Sequence, residues 1–215
     1  MADKAEKAEK KEKEAEQKQQ AKAKPKKGRT VDKWKKKQWY NIVAPDEFSK
    51  AIIGETVGEK PKNVEGRIIR VDLGQLAGQR QKRYISVLFR IERVEGNNAN
   101  CITLGHEASP GFVNRLVRRR TSKIEIVQTL ETADKKKVHV KTIALSARKL
   151  SRQQEADIRK SMGEMVEKAV EKKPFVEVSQ EMIFGAIAAK VFKHLTKIAP
   201  IKRVEVIKSR LIEGK

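Results

Sequence analysis

Two clusters carry the residue types that grip a polyanion. The first is Pro25–Ile42, where Lys26, Lys27, Arg29, Lys33, Lys35, Lys36 and Lys37 interleave with Trp34, Trp39 and Tyr40. Both tryptophans and one of the two tyrosines fall within seven residues. Lysine ammonium groups neutralise phosphates, and aromatic faces stack on unpaired bases. Trp34 and Trp39 could instead anchor a strand leading into the core, with the lysines on its wet side; phosphate contact by the lysines holds under either alternative. The second cluster is Arg115-Leu-Val-Arg-Arg-Arg-Thr-Ser-Lys123, in which Arg115, Arg118, Arg119, Arg120 and Lys123 stand with no acid among them. The planar guanidinium fork suits bidentate phosphate contact. A third, smaller group is Arg80, Lys82 and Arg83 in a glycine-containing loop, with further patches at Lys135–Lys137 and at Lys202, Arg203, Lys208 and Arg210.

Catalytic chemistry has a poorer basis. Cys101, His106 and Glu107 are the only local set resembling a nucleophile and base, but a lone cysteine in an alternating strand is commonly a small core residue. His139 sits in a hairpin pattern and His194 near a helix end, and none of the three histidines lies in a zinc-protease motif. Gly74-Gln-Leu-Ala-Gly78 lacks the glycine spacing of a nucleotide cradle. No catalytic residue, metal site or cofactor is expected.

Charge and length frame these clusters. The 215 residues hold 50 Lys+Arg against 28 Asp+Glu, a formal +22. A surplus of that size repels itself unless a polyanion neutralises it, which makes nucleic acid the default partner. Residues 1–20 contain six lysines and six acids, so the surplus lies beyond them. No apolar run approaches the length of a membrane span, and charge from Asp3 onward gives no expectation of a secretory signal. One cysteine excludes an internal disulfide.

The elements that must position the clusters read as α+β: a mostly antiparallel sheet or small β-barrel core covered by helices, with an extended basic N-terminal arm. Asp46–Ile53 reads as a short helix or turn, and Val64–Leu73 as a strand followed by a loop to Arg83. Period-two alternation marks Arg83–Val94, paired through a turn with Cys101–Leu104, and a second hairpin over Lys123–Leu130 and Lys137–Leu145. Ser109-Pro110 opens a helix that ends near Arg119 or Arg120, where Arg120 would point into the apolar arc. Ser151 and Gln154 form a capping box for a helix ending at Pro174, and Ser179 is read as the cap of another ending at Pro200. Arg203–Ile212 is a final strand or basic tail. The expected divisions are a charged flexible tail over 1–28, a basic aromatic arm over 29–45, a β-rich core over 46–150 and a helical part over 151–215. Basic groups spread over several loops suit a large folded RNA better than a duplex groove.

The run Asp32–Pro45 with Phe48, the stretch Gly105–Glu107 through Arg115–Ser122, Ser151–Met165 and Ile198–Glu205 together resemble the S3Ae family of small-subunit ribosomal proteins shared by archaea and eukaryotes. The similarity runs co-linearly over roughly residues 30–210. The resemblance implies a structural ribosomal protein, ribosome-bound in the cytoplasm, contacting small-subunit ribosomal RNA on the platform side near the messenger exit. It implies a β-barrel-like core, neighbouring small-subunit proteins and messenger RNA as further contacts, no membrane, no homo-oligomer, no cofactor and no catalysis. A transient RNA-binding translation factor or RNA chaperone is the alternative.

Overall fold

Alternating apolar residues that must leave water on one face dictate strands over most of the middle of the chain. The computed structural model describes residues 33–76, 78 and 82–212, and the chain divides into two units, residues 1–37 and 38–215. In the first unit Lys33–Lys36 make a 3₁₀ turn. The Lys37 ammonium stands 4.3 Å from the Trp34 ring centroid. The expectations for residues 1–32 lie outside the described residues.

Among its described residues the second unit is an eight-stranded mixed sheet with five α-helices. Its strands are β1 (Gln38–Val43), β2 (Ile52–Gly58), β3 (Ile68–Asp72), β4 (Ile85–Glu95), β5 (Asn98–Ala108), β6 (Lys123–Glu131), β7 (Lys137–Ser146) and β8 (Ile201–Ile212). The helices are α1 (Leu73–Leu76), α2 (Pro110–Leu116), α3 (Arg152–Glu171), α4 (Phe175–Phe184) and α5 (Ala186–Leu195). The order is β2-β1-β5-β8-β7-β6, with β4 on the other side of β5 and β3 beyond it. All pairings are antiparallel except β1 with β5.

The sheet is open, which corrects the barrel alternative. Among the described residues β2, β3 and β6 each pair on one side only. The reason lies in β5, which branches the sheet. Its residues 98–100 pair with β1, its residues 105–107 pair with β8, and its other edge takes β4. At the branch Gly105 has φ of +144°. A Cβ there would stand 2.1 Å from the Ser209 carbonyl oxygen.

Helices α3, α4 and α5 cover the β6–β7–β8 side. Ile158, Met162 and Val166 of α3, Val178 and Met182 of α4, and Ile187, Val191 and Leu195 of α5 share one core with Ile124, Val138, Val140, Val204 and Val206. A second core unites Tyr40, Ile42, Phe48, Val87, Phe89, Ile91 and Cys101 under β1–β5.

Several local expectations are corrected. Ser49 and Lys50 adopt positive φ, so Asp46–Phe48 is a 3₁₀ turn and the following Ile52–Gly58 is a strand hydrogen-bonded to β1. The Leu73–Arg83 loop begins with the single helical turn α1, and Asn98–Ala108 is a strand from the turn onward. α2 ends at Leu116, earlier than Arg119, because Val117 turns extended. Ser179 is buried within α4 and caps nothing; Gly185, at φ +83°, breaks what reads as one helix into two. The Ser151–Gln154 capping box is present. Ser151→Ala is expected to cost about 1 kcal/mol of stability in a denaturant melt, through the loss of that cap.

Candidate nucleic-acid interface

The arginine cluster is built by three neighbouring elements. Phe112 is buried among Ala108, Ile143, Leu145 and Ile207, and this seats α2 on the sheet. Tyr84 stacks on the Phe112 ring at 3.7 Å between centroids, and the Arg203 guanidinium lies 5.2 Å from the same ring. Arg115 leaves the last turn of α2 with its guanidinium 6.0 Å from that centroid. The chain then turns outward, so Arg118, Arg119 and Arg120 are all exposed. Arg120 takes a left-handed backbone (φ +64°) rather than a helical one. This corrects the expectation that it points toward the apolar side.

The turn is fixed by hydroxyl groups. The Thr121 hydroxyl donates to the Arg118 carbonyl at 2.7 Å. The Ser122 amide donates to the Ser146 hydroxyl at 2.7 Å, and the Ser122 hydroxyl accepts from the Leu150 amide at 3.1 Å. Ser146 donates in turn to the Arg148 carbonyl at 2.5 Å. These bonds tie the arginine turn to the β7–α3 connection, bringing exposed Arg148 and Lys149 to the same end of the sheet. The Ala147 amide donates to the Pro200 carbonyl at 2.8 Å, so exposed Lys202 at the start of β8 joins them. Sequence reasoning missed Arg148 and Lys149. The available signal is the hairpin register, which sets Lys123 opposite Leu145 and so places the two chain ends side by side.

The other candidates fare differently. Lys123 is exposed and pairs with Glu125, whose second oxygen lies 3.3 Å from Lys141. The Lys123 ammonium, helped by Lys141, holds the Glu125 carboxyl below the usual range against partial burial. Lys35, Lys36 and Lys37 are exposed, as is Trp34. Trp39 is 59% exposed on the solvent face of β1, while Tyr40 is 1% exposed and belongs to the core. The strand alternation thus separates the two aromatics, and Tyr40 is withdrawn as a stacking residue. Lys82 donates to the Phe184 carbonyl at 2.9 Å, and Arg83 is exposed. Lys26, Lys27, Arg29 and Arg80 lie outside the described residues, as does the side chain of Lys33.

The structure disperses the cysteine–histidine–glutamate set. Cys101 is buried in the β1–β5 core, and burial pushes its thiol up to about 11. Glu107 pairs with Arg70 at 3.0 Å and with Lys208 at 3.5 Å. His106 is fully buried, with Nε2 3.0 Å from the Val206 carbonyl oxygen and Nδ1 2.7 Å from the Ser209 hydroxyl. A carbonyl only accepts, so Nε2 carries the proton and Nδ1 accepts from Ser209. The imidazole therefore joins β5 to β8 and faces no solvent from which a substrate could come.

Burial holds the His106 pKa at about 4, with the Val206 bond opposing weakly. The folded pKa lies below the ordinary value of 6.5, so the unfolded chain takes up the proton first as pH falls. The stabilising contribution is complete above about pH 6.5 and is lost progressively down to about pH 4. It amounts to about 3 kcal/mol over that window. Denaturant melts from pH 7.5 to 4.5 are expected to show this slope in the wild type and a shallower one in His106→Gln.

The arrangement is a cationic surface at one end of the sheet, set by Arg118, Arg119, Arg120, Arg148, Lys149 and Lys202. The model of the ribosomal S3Ae family matches residues 25–215. The chain is 34% identical to the small ribosomal subunit protein eS1 of Methanococcus maripaludis, over 89% of this chain and 86% of that one. It is 34% identical to the eS1 protein of Methanobrevibacter smithii (89% and 99% covered) and 35% identical to that of Methanocaldococcus jannaschii (89% and 86%). The chain belongs to the ribosomal S3Ae family.

Proposed function

We propose that this protein is a structural constituent of the small ribosomal subunit, without enzymatic activity, and that it holds ribosomal RNA through the arginine turn, the basic arm and the adjoining loops. The observation that carries the reading is the fixed cationic end of β6–β7–β8 in a chain of this family. Arg118, Arg119 and Arg120 stand on a turn whose backbone is already hydrogen-bonded, so little ordering entropy is lost on contact with phosphates. Exposed Trp39 offers a face for an unpaired base. Ribosome-bound residence in the cytoplasm and contacts with neighbouring small-subunit proteins follow from the same reading, as does access to messenger RNA near its exit.

The test is quantitative mass spectrometry of purified small subunits before and after a high-salt wash. One copy per subunit retained through the wash is the expected result. Loss at high salt would favour a transient translation factor or RNA chaperone instead.

A further inference from the structure

The far end of the same strands holds a notch that the arginine turn does not reach. β5 and β8 pair only at Gly105–Glu107 with Lys208–Arg210, so beyond Arg210 the two strands diverge. The gap is a cavity of about 560 Å³. Its apolar floor is Ile102, Leu211 and Ile212, and its rim is Arg90, Lys135, Lys136 and Lys137. No carboxylate lines it among the described residues. Lys137 reaches Glu131 at 3.5 Å, but both side chains are well exposed, where such a pair holds weakly.

The lysines are not on a loose loop. The Ala133 amide donates to the Lys173 carbonyl at 3.1 Å, and the Lys135 amide to the Thr132 carbonyl at 2.8 Å. Asp134 accepts from the Phe175 amide at 2.9 Å at the start of α4, and the Lys136 ammonium stands 5.7 Å from the Phe175 ring. The hairpin tip is therefore bolted to the helical layer and presents its cations in a fixed arrangement.

We propose that this notch binds an unpaired nucleotide of a second RNA segment, so that the protein acts as a strut between two RNA elements. Cations at the rim suit the phosphodiester, and the apolar floor suits the face of a base or ribose. A duplex presents phosphates but keeps its bases stacked away from such a floor. The volume falls within the range of about 300–1,000 Å³ found for sites that enclose small organic groups. The ten residues of β7 separate the notch from the arginine turn by about 30 Å, more than one phosphate group can span. The inference rests on the reading of the protein as RNA-binding.

The test uses the full chain, a labelled twelve-nucleotide oligouridine and a twelve-base-pair RNA duplex, titrated with salt and followed by anisotropy. In an R118Q/R119Q/R120Q background the oligouridine is expected to bind still, in preference to the duplex. Adding K135Q/K136Q/K137Q then makes the salt slope shallower by about 2, at about 0.7 per lost single-strand contact. Ile212→Ala weakens oligouridine binding about fourfold without changing the slope, the effect of roughly one buried methylene. Wild-type protein is expected to bring donor- and acceptor-labelled RNAs into energy transfer, and K135Q/K136Q/K137Q alone to abolish the transfer while keeping one RNA bound. Unchanged circular dichroism checks the fold of each variant. An unaltered slope and undiminished transfer in the lysine variant overturn the proposal, as does equal preference for the duplex. Wild-type protein with no salt-dependent RNA binding defeats the underlying reading as well, an outcome visible before any variant is compared.

Discussion

Changing Arg115, Arg118, Arg119 and Arg120 together to glutamine is expected to weaken binding to a small-subunit RNA fragment about a thousandfold near 0.1 M salt. Each lost phosphate contact removes about 0.7–0.9 from the slope of log affinity against log salt, so four contacts remove about 3. The loss applies alike to different RNA sequences, because phosphate contacts position a protein without reading bases. Arg120→Gln alone separates two geometries. Had the helix continued, the change would disturb packing. With α2 ending at Leu116 and Arg120 exposed, it is expected to lower the slope by about 0.8 and to leave stability within about 0.5 kcal/mol. The control is the change of Lys7, Lys10, Lys11 and Lys13 to glutamine, since acids balance those lysines in the sequence. Filter or fluorescence binding across a salt series reads all three. A wild-type slope in the arginine variant with a loss in the control would put the RNA contact elsewhere.

Gly105→Ala is expected to be the most damaging single methyl group in the protein, at about 3–5 kcal/mol. Two costs combine there. The backbone angle of +144° is one that side chains avoid, and the new Cβ would meet the Ser209 carbonyl oxygen at 2.1 Å. That oxygen belongs to the main chain of β8, which is held by β7 along its length, so it cannot swing aside. For a chain of this size the melting temperature is expected to fall by about 10 °C. Gly96→Ala is the milder reference, because Gly96 has a positive φ (+59°) in the left-handed region that side chains tolerate at a cost, and nothing lies within 4 Å of its Cβ position. It is expected to cost about 1–2 kcal/mol. A loss at Gly105 no larger than that at Gly96 would show that β5 and β8 relax apart and that the branch of the sheet is soft.

The division between sequence and tertiary structure follows interaction range. Period-two alternation sufficed for β4, β6 and β7, and a side-chain–backbone cap within four residues sufficed for the start of α3, because these signals are local. The surplus of positive charge was legible for the same reason: it does not depend on how the chain folds, and Arg118, Arg119 and Arg120 are adjacent in the chain. Two local signals misled. Ser179 has the chemistry of a cap, but the apolar residues around it buried it inside α4, and Gly185 supplied the break. Trp39 and Tyr40 both read as candidate stacking residues, yet a strand sends neighbours to opposite faces, leaving one in water and one in the core. Pairing across long separations lay beyond any local signal. The open sheet, the meeting of β5 with β8 through His106 and Ser209, and the joining of Arg148, Lys149 and Lys202 to the arginine turn all rest on contacts between distant residues. The sequence by itself therefore determined that this protein is basic, α+β and rich in cationic side chains. Tertiary structure alone decided which of those side chains stand together, because backbone hydrogen bonds between sequence-distant strands, and the one glycine that lets two of them approach, set that geometry.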